Sequence, residues 1–199
     1  MRDTKQSMAL PRPRTLMWLD LEPATPTSDL QKVFDATKER IGYVRNSQLA
    51  MAGMPDVVIA LDGLSRSVMR DGAGTLSAKE RELIALVASV ENSCVSCTFT
   101  HAARLRSTTA DPMWTAIVEA NYRHAELSDR ERAIADYAYK LTAHPAQVDE
   151  SDLAPLRTCG VSEGDIFYVV AITSYFNLSN RLMSGLGMKP NREAYEASR

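Results

Sequence analysis

The sequence predicts an all-α protein, and three observations carry that prediction. Apolar residues recur at three- and four-residue spacing through most of the chain. β-Branched residues never alternate with polar ones over the length of a strand. Helix starts of the capping-box kind occur twice in nearly the same words, LSAKER at 76–81 and LSDRER at 127–132.

The elements follow in order. Residues 1–27 contain Pro11, Pro13, Pro23 and Pro26, which interrupt any helical pattern and predict an N-terminal arm packed on the domain or on a neighbouring subunit. Helices are predicted over 29–41 ending at Gly42 and over 55–70 ending near Gly72, with a short helical turn between them near 47–52 ending at Gly53. Ser77, three residues before Glu80, opens a helix over 78–91, and Ser128, three before Glu131, opens one over 129–142. Between them lie helical patterns over 94–107 and 111–121, and after them others over 151–158 and 163–184, the last opened by the weaker pair Ser162 and Asp165. Ser77 and Ser128 are 51 residues apart, a spacing that suggests a repeated helical hairpin. Residues 28–199 are therefore expected to form a single all-helical domain.

Composition narrows the function. With 199 residues, 45% hydrophobic and 24% charged, the chain can bury a full core without disulfide or metal staples. A net charge of −2, with no Lys/Arg cluster interleaved with aromatics, argues against nucleic acid and anionic membranes as partners. The N-terminus lacks an apolar core of signal-peptide length, and the longest apolar run, at 166–172, is too short to span a bilayer. A cytoplasmic location is expected. Three cysteines are too few for a secreted disulfide framework, and in a reducing compartment a C-x-x-C pair points to catalysis, redox sensing or metal binding. Cys159, before Gly160 at a helix end, is expected to be buried packing. His124, in a connection, and His144, at a helix end before Pro145, carry no site signal of their own.

The chemistry concentrates in NSCVSCTFTHAARLR at 92–106. On a helix, Cys94, Cys97 and His101 stand at i, i+3 and i+7 and share one face. The preceding ERELIALVASVENSC has a strong apolar face in Leu83, Ile84, Leu86, Val87 and Val90, and Glu80 serves the cap, but Glu82 is needed for neither. A turn at Asn92 and Ser93 would bring Glu82 back toward the thiols, cap a new helix and place Cys94 in its first turn. A helix N-terminus favours thiolate, lowering a Cys pKa from about 8.5 into the range of roughly 3.5 to 7.5. Such a thiolate attacks the terminal oxygen of a peroxide to give a sulfenic acid, which a nearby second thiol converts to a disulfide. His101 is placed to take or pass the proton, and Glu82 to orient it. Two other readings stand beside this one. Two thiolates and an imidazole suit zinc, although a structural site needs a fourth ligand from a distant segment; a dithiol packed inside a helix for structure alone is the other.

The pattern E-x11-C-x-x-C-x3-H, filled here by Glu82, Cys94, Cys97 and His101, resembles the core motif of the AhpD-like alkylhydroperoxidases within the carboxymuconolactone decarboxylase superfamily. The segment ERIGYVRNSQLAMAGMPDVVIAL resembles the lead-in helices of its peroxidase-related subgroup, and SYFNLSNRLMSGLGM the closing helix, so the resemblance runs from about residue 30 to 190. It implies an AhpD-like helical fold, a homo-oligomer (dimer, trimer or hexamer) and antioxidant reduction of organic hydroperoxides by a dithiol cycle. In it Cys97 is the peroxidatic thiol, Cys94 its disulfide partner, and His101 with Glu82 the proton relay. No metal and no bound cofactor are implied; the pair is recharged by a lipoyl-type dithiol or a thioredoxin-like protein. One departure is visible: the family histidine immediately before the second cysteine is Ser96 here, whose hydroxyl holds water but does not titrate near neutrality. Ser96, Phe99, Tyr168, Tyr175, Phe176 and Asn177 are offered as a substrate lining, although aromatics at helical spacing also serve a core or a subunit interface. The alternative to a peroxidase is a decarboxylase-like enzyme or a redox-responsive binding protein of the same superfamily.

Overall fold

The computed structural model describes residues 10–22, 24–72 and 74–198. Ten α-helices, four short 3₁₀ turns and no strand form them: α1 Ser28–Ile41, α2 Asn46–Ala50, α3 Pro55–Met69, α4 Ala78–Glu91, α5 Val95–Thr109, α6 Pro112–Asn121, α7 Asp129–Ala143, α8 Ala154–Thr158, α9 Glu163–Gly185 and α10 Arg192–Glu196. The all-α expectation is met. No helix among the described residues is long and apolar enough to cross a membrane.

The chain divides into two compact units, the first reaching to Asp62 with Leu186–Lys189, the second comprising Gly63–Gly185 with Pro190–Arg199. In the first, α1 is capped by Thr27, whose hydroxyl accepts from the Leu30 amide, and stopped by Gly42 at φ 86. It buries Leu30, Val33, Phe34 and Thr37, and the Thr37 hydroxyl accepts from Gln48 of α2 at 2.9 Å. The expected arm over 1–27 lies partly outside the described residues. Its described part makes a 3₁₀ turn at Pro13–Thr15 and joins the end of the chain through two backbone bonds, Trp18 N–H to Leu186 O and Lys189 N–H to Leu16 O. Gly187 allows that approach, because a Cβ there would overlap the Trp18 indole.

In the second unit α4 is the central rod, packed by α5, α7 and α9. Every residue of 80–89 is buried, including Glu80, Arg81 and Glu82. A helix buried all round places Leu83, Ile84 and Leu86 out of water at roughly 1.5–3 kcal/mol each, but it must then pair its charges. It does so. Glu80 closes the capping box with Ser77 and meets Arg130 at 2.6 Å; Arg81 meets Asp71 and donates to the Leu76 carbonyl; Glu82 faces α5.

The repeated starts are joined crosswise. Lys79 pairs with Glu131 at 2.6 Å, and Arg130 with Glu80 at 2.6 Å. Lys79 and Arg130 occupy the same place in LSAKER and LSDRER, as do Glu80 and Glu131, so the two ion pairs are reciprocal. The expected helix over 151–158 is instead a 3₁₀ turn, Glu150–Leu153, running into α8. Pro155 has no N–H to continue an α ladder from that turn. α10 was not foreseen. It is held by buried Arg106 of α5, which donates to the carbonyls of Ala194 and Ala197.

Candidate functional site

The turn into the site is a Schellman motif. Cys94 N–H donates to Ser89 O at 3.0 Å and Ser93 N–H to Val90 O at 2.8 Å, with Ser93 left-handed at φ 53. Asn92 anchors the same turn to α9 through Asn177 Oδ1 at 3.1 Å. The expected turn at Asn92 and Ser93 is present, but neither residue caps the next helix. Cys94 is itself the N-cap, later in the chain than the expected cap, so it precedes the first turn instead of lying in it, and α5 starts at Val95.

Cys94 and Cys97 are both reduced and buried, at 2% and 7% exposure. The Cys94 side chain makes no cap hydrogen bond of ordinary geometry. Its sulfur is nevertheless ringed by groups that favour its charge: the Cys97 thiol foremost, then the Cys97 amide, the Ser184 hydroxyl and the Ser96 amide. Against the opposing effect of burial they lower the Cys94 pKa to about 7. Cys97 goes the other way. Its thiol shares a proton with the Cys94 sulfur, lies buried and faces that sulfur's charge, all of which push its pKa far up. Cys94 is therefore the more acidic of the two thiols, and Cys97 is the one that keeps its proton.

His101 lies one turn beyond Cys97 on the same face of α5. Its Nδ1 is 2.7 Å from Glu82 Oε2, and Arg104, a further turn on, reaches Glu82 Oε1 at 3.2 Å. Burial raises the Glu82 pKa, but the Arg104 and His101 charges and hydrogen bonds outweigh it and hold the carboxyl below its ordinary value. An ionised Glu82 accepts the Nδ1 proton, which fixes the ring and leaves proton exchange to Nε2. Arg104 escaped the sequence reading, although its place three residues after His101 on a helix was the available signal.

α9 supplies the opposite wall. The Phe176 ring meets the His101 ring edge-on at 4.3 Å between centroids, with Tyr175 against Phe176 at 5.0 Å. Of the other expected lining residues, Ser96 is half-buried and contributes its amide toward Cys94. Phe99 packs on Tyr195 of α10 at 5.2 Å. Asn177 ties Asn92, Thr142 and Arg181 together. Tyr168 stands two turns before Phe176, against Phe167 and close to Gly74. Cys159, expected to be packed, is partly exposed at the end of α8. His124 is exposed, and His144 caps the end of α7 against Tyr139. Among the described residues no group of three or more His, Cys, Asp or Glu is arranged to hold a metal ion. A separate cleft of about 240 Å³ on another side of α4 is lined by Val87, Val118, Tyr122, Arg123 and Tyr139, and none of the dithiol-site residues reaches it.

Residues 55–138 match the Carboxymuconolactone decarboxylase family. An uncharacterized peroxidase-related protein from Silicibacter sp. TM1040 is 34% identical, over 96% of this chain and 100% of that one, with a TM-score of 0.87. The chain belongs to the AhpD-like/carboxymuconolactone decarboxylase superfamily. A second structure of this AhpD-like group, a peroxidase-related protein with an alkylhydroperoxidase AhpD core from Ralstonia eutropha JMP134, is 30% identical over 96% and 95% of the two chains, with a TM-score of 0.83. The debrominase Bmp8 shares the AhpD-like fold alone, at 20% identity over 84% and 88% of the chains and a TM-score of 0.72. A search among curated proteins gives no match.

Proposed function

We propose that this protein is a thiol-dependent peroxidase that reduces organic hydroperoxides through Cys94 and Cys97. The observation that carries the reading is the buried, unpaired dithiol of Cys94 and Cys97 beside a histidine held by a buried carboxylate. In the proposed cycle Cys97 attacks the terminal oxygen of ROOH while its proton passes to the Cys94 sulfur. An S–O bond forms, the O–O bond breaks, and the electron pair leaves on RO⁻, which takes a proton from His101 to become ROH. Cys94 then attacks the Cys97 sulfenic acid; the S–S bond forms, the S–O bond breaks, and the departing hydroxide leaves as water with the Cys94 proton. Glu82 and Arg104 hold His101 in place throughout. The edge of Phe176 against His101 favours an apolar R group over hydrogen peroxide.

An external dithiol, lipoyl-type or thioredoxin-like, closes the cycle by exchange at the disulfide. Val95, exposed next to Cys94 at the start of α5, leaves an apolar approach for it. The test is mass spectrometry of the thiols before and after a stoichiometric dose of cumene hydroperoxide, followed by peroxide consumption with added dithiol. A Cys94–Cys97 disulfide that turns over supports the peroxidase. A disulfide that forms without turnover makes the protein a redox-responsive one, and consumption by Cys97→Ser at the parent rate rejects the assignment.

A further inference from the structure

The α9 wall of the site is a column of side chains one turn apart: Phe176, Asn180 and Ser184. Phe176 meets His101 and Ser184 stands beside the Cys94 sulfur. Asn180, between them, is completely buried. On α4, Glu82 and Ser89 are two turns apart and share a face; Glu82 bonds His101, and Ser89 meets Asn180. The Asn180 carboxamide therefore lies on the interior wall at the level between the histidine and the dithiol.

Its hydrogen bonding is incomplete. Ser89 Oγ donates to Ala85 O at 2.7 Å and lies 3.3 Å from Asn180 Oδ1, while no acceptor among the described residues meets Asn180 Nδ2. The single Ser89 proton goes to the shorter bond, so a carboxamide turned over would donate to Ser89 Oγ and leave Oδ1 unmet instead. In either orientation at least one end is unanswered, at a cost of about 1–3 kcal/mol in a dry interior. A hydroxyl, which both donates and accepts, satisfies either orientation; a carbonyl or an amine cation satisfies only one.

We propose that Asn180 is a hydroxyl-binding residue of this site, holding a water oxygen at rest and the terminal hydroxyl of the hydroperoxide when substrate enters. Only the second half rests on the peroxidase reading. A hydrogen bond to the terminal oxygen orients the O–O bond toward the attacking sulfur and makes Asn180 a substrate-positioning group that the sequence motif does not contain.

Two measurements test this. The resting half predicts nuclear Overhauser contacts between the Asn180 side-chain amide protons and water in the reduced, isotope-labelled protein. The substrate half is read from single-turnover oxidation of the dithiol by cumene hydroperoxide and, separately, by a small aromatic disulfide. Asn180→Leu is the apolar isostere, and Asn180→Thr, whose hydroxyl bonds back to the helix carbonyl, is a second variant should the first not fold. Both are expected to slow the peroxide reaction roughly tenfold or more while the disulfide reaction stays within about twofold. No water contact at Asn180 overturns the hydroxyl site. Peroxide oxidation of a folded variant at the parent rate overturns the substrate half. A parent protein oxidised by the disulfide but inert to peroxide instead overturns the peroxidase reading, and the water contact then decides whether the hydroxyl site exists.

Discussion

His101 Nδ1 stands 2.7 Å from Glu82 Oε2, across 19 residues of chain and one reversal of direction. That reversal depends on Ser93, a left-handed residue with a Cβ, and the proposed proton relay depends on the contact it creates.

Removing the carboxylate charge tests the relay. In Glu82→Gln the amide keeps the shape, but its acceptor no longer stabilises the histidine cation or Arg104. Dithiol oxidation by peroxide is expected to slow about tenfold to a hundredfold, and urea stability to fall by about 1–3 kcal/mol. Stopped-flow fluorescence and urea melts read the two effects. An unchanged oxidation rate with lowered stability would make the pair structural only.

The sulfur charge predicts a pH profile. Cys94, lowered to about 7 by the Cys97 thiol and the surrounding donors, is a thiol below that pH and a thiolate above it. Alkylation should rise with pH through a midpoint near 7 and fall about tenfold per pH unit on the acid side. Ultraviolet thiolate absorbance should show the same step and lose it in Cys94→Ser. Persistence of the step in that variant would assign the charge to Cys97.

Acid stability follows from Glu82. Its pKa is lower folded than unfolded, so the stability it contributes is fully present above the unfolded value of about 4.3 and is lost as pH falls through the folded one. Arg104→Leu removes the largest favourable cause, and the acid-unfolding midpoint, followed by circular dichroism, should move to higher pH. A midpoint that stays in place or moves down contradicts this electrostatic account.

Ser93 carries a backbone cost that glycine lacks. Ser93→Gly should stabilise the protein by about 0.5–1 kcal/mol, whereas Ser93→Val should destabilise it and broaden the thiolate titration by displacing Cys94. Thermal melts and thiol titration of both variants check this; a destabilising Ser93→Gly would show that the serine hydroxyl matters more than φ.

The reciprocal ion pairs separate by burial. A double-mutant cycle on Lys79 and Glu131, with side chains 34% and 14% exposed, should give a coupling of about 1 kcal/mol or less, as for a surface pair. Glu80, 9% exposed and also part of a capping box, should couple more strongly to Arg130. Equal couplings would mean that burial does not set their strength.

Much of this was legible in the chain itself. Ser77–Glu80 and Ser128–Glu131 announced their helices because a capping box is satisfied within four residues and needs nothing distant. Cys94, Cys97 and His101 were readable as one constellation because helix periodicity alone places them on one face. Glu82 was reachable because a plausible turn lay between it and the thiols. The pieces that the sequence hid depend on packing from far along the chain. α10 exists because Arg106, some 90 residues earlier, gathers its carbonyls. Arg104 acts on Glu82 only after the turn at Ser93 has folded α5 back on α4. The charge on Cys94 depends partly on Ser184, and the unmet amide of Asn180 on Ser89, both across the α4–α5–α9 junction. Residue types and local spacing determined which groups share one face; the long-range packing of three helices decided which sulfur is the more acidic, because burial and hydrogen bonds to a sulfur are properties of its surroundings.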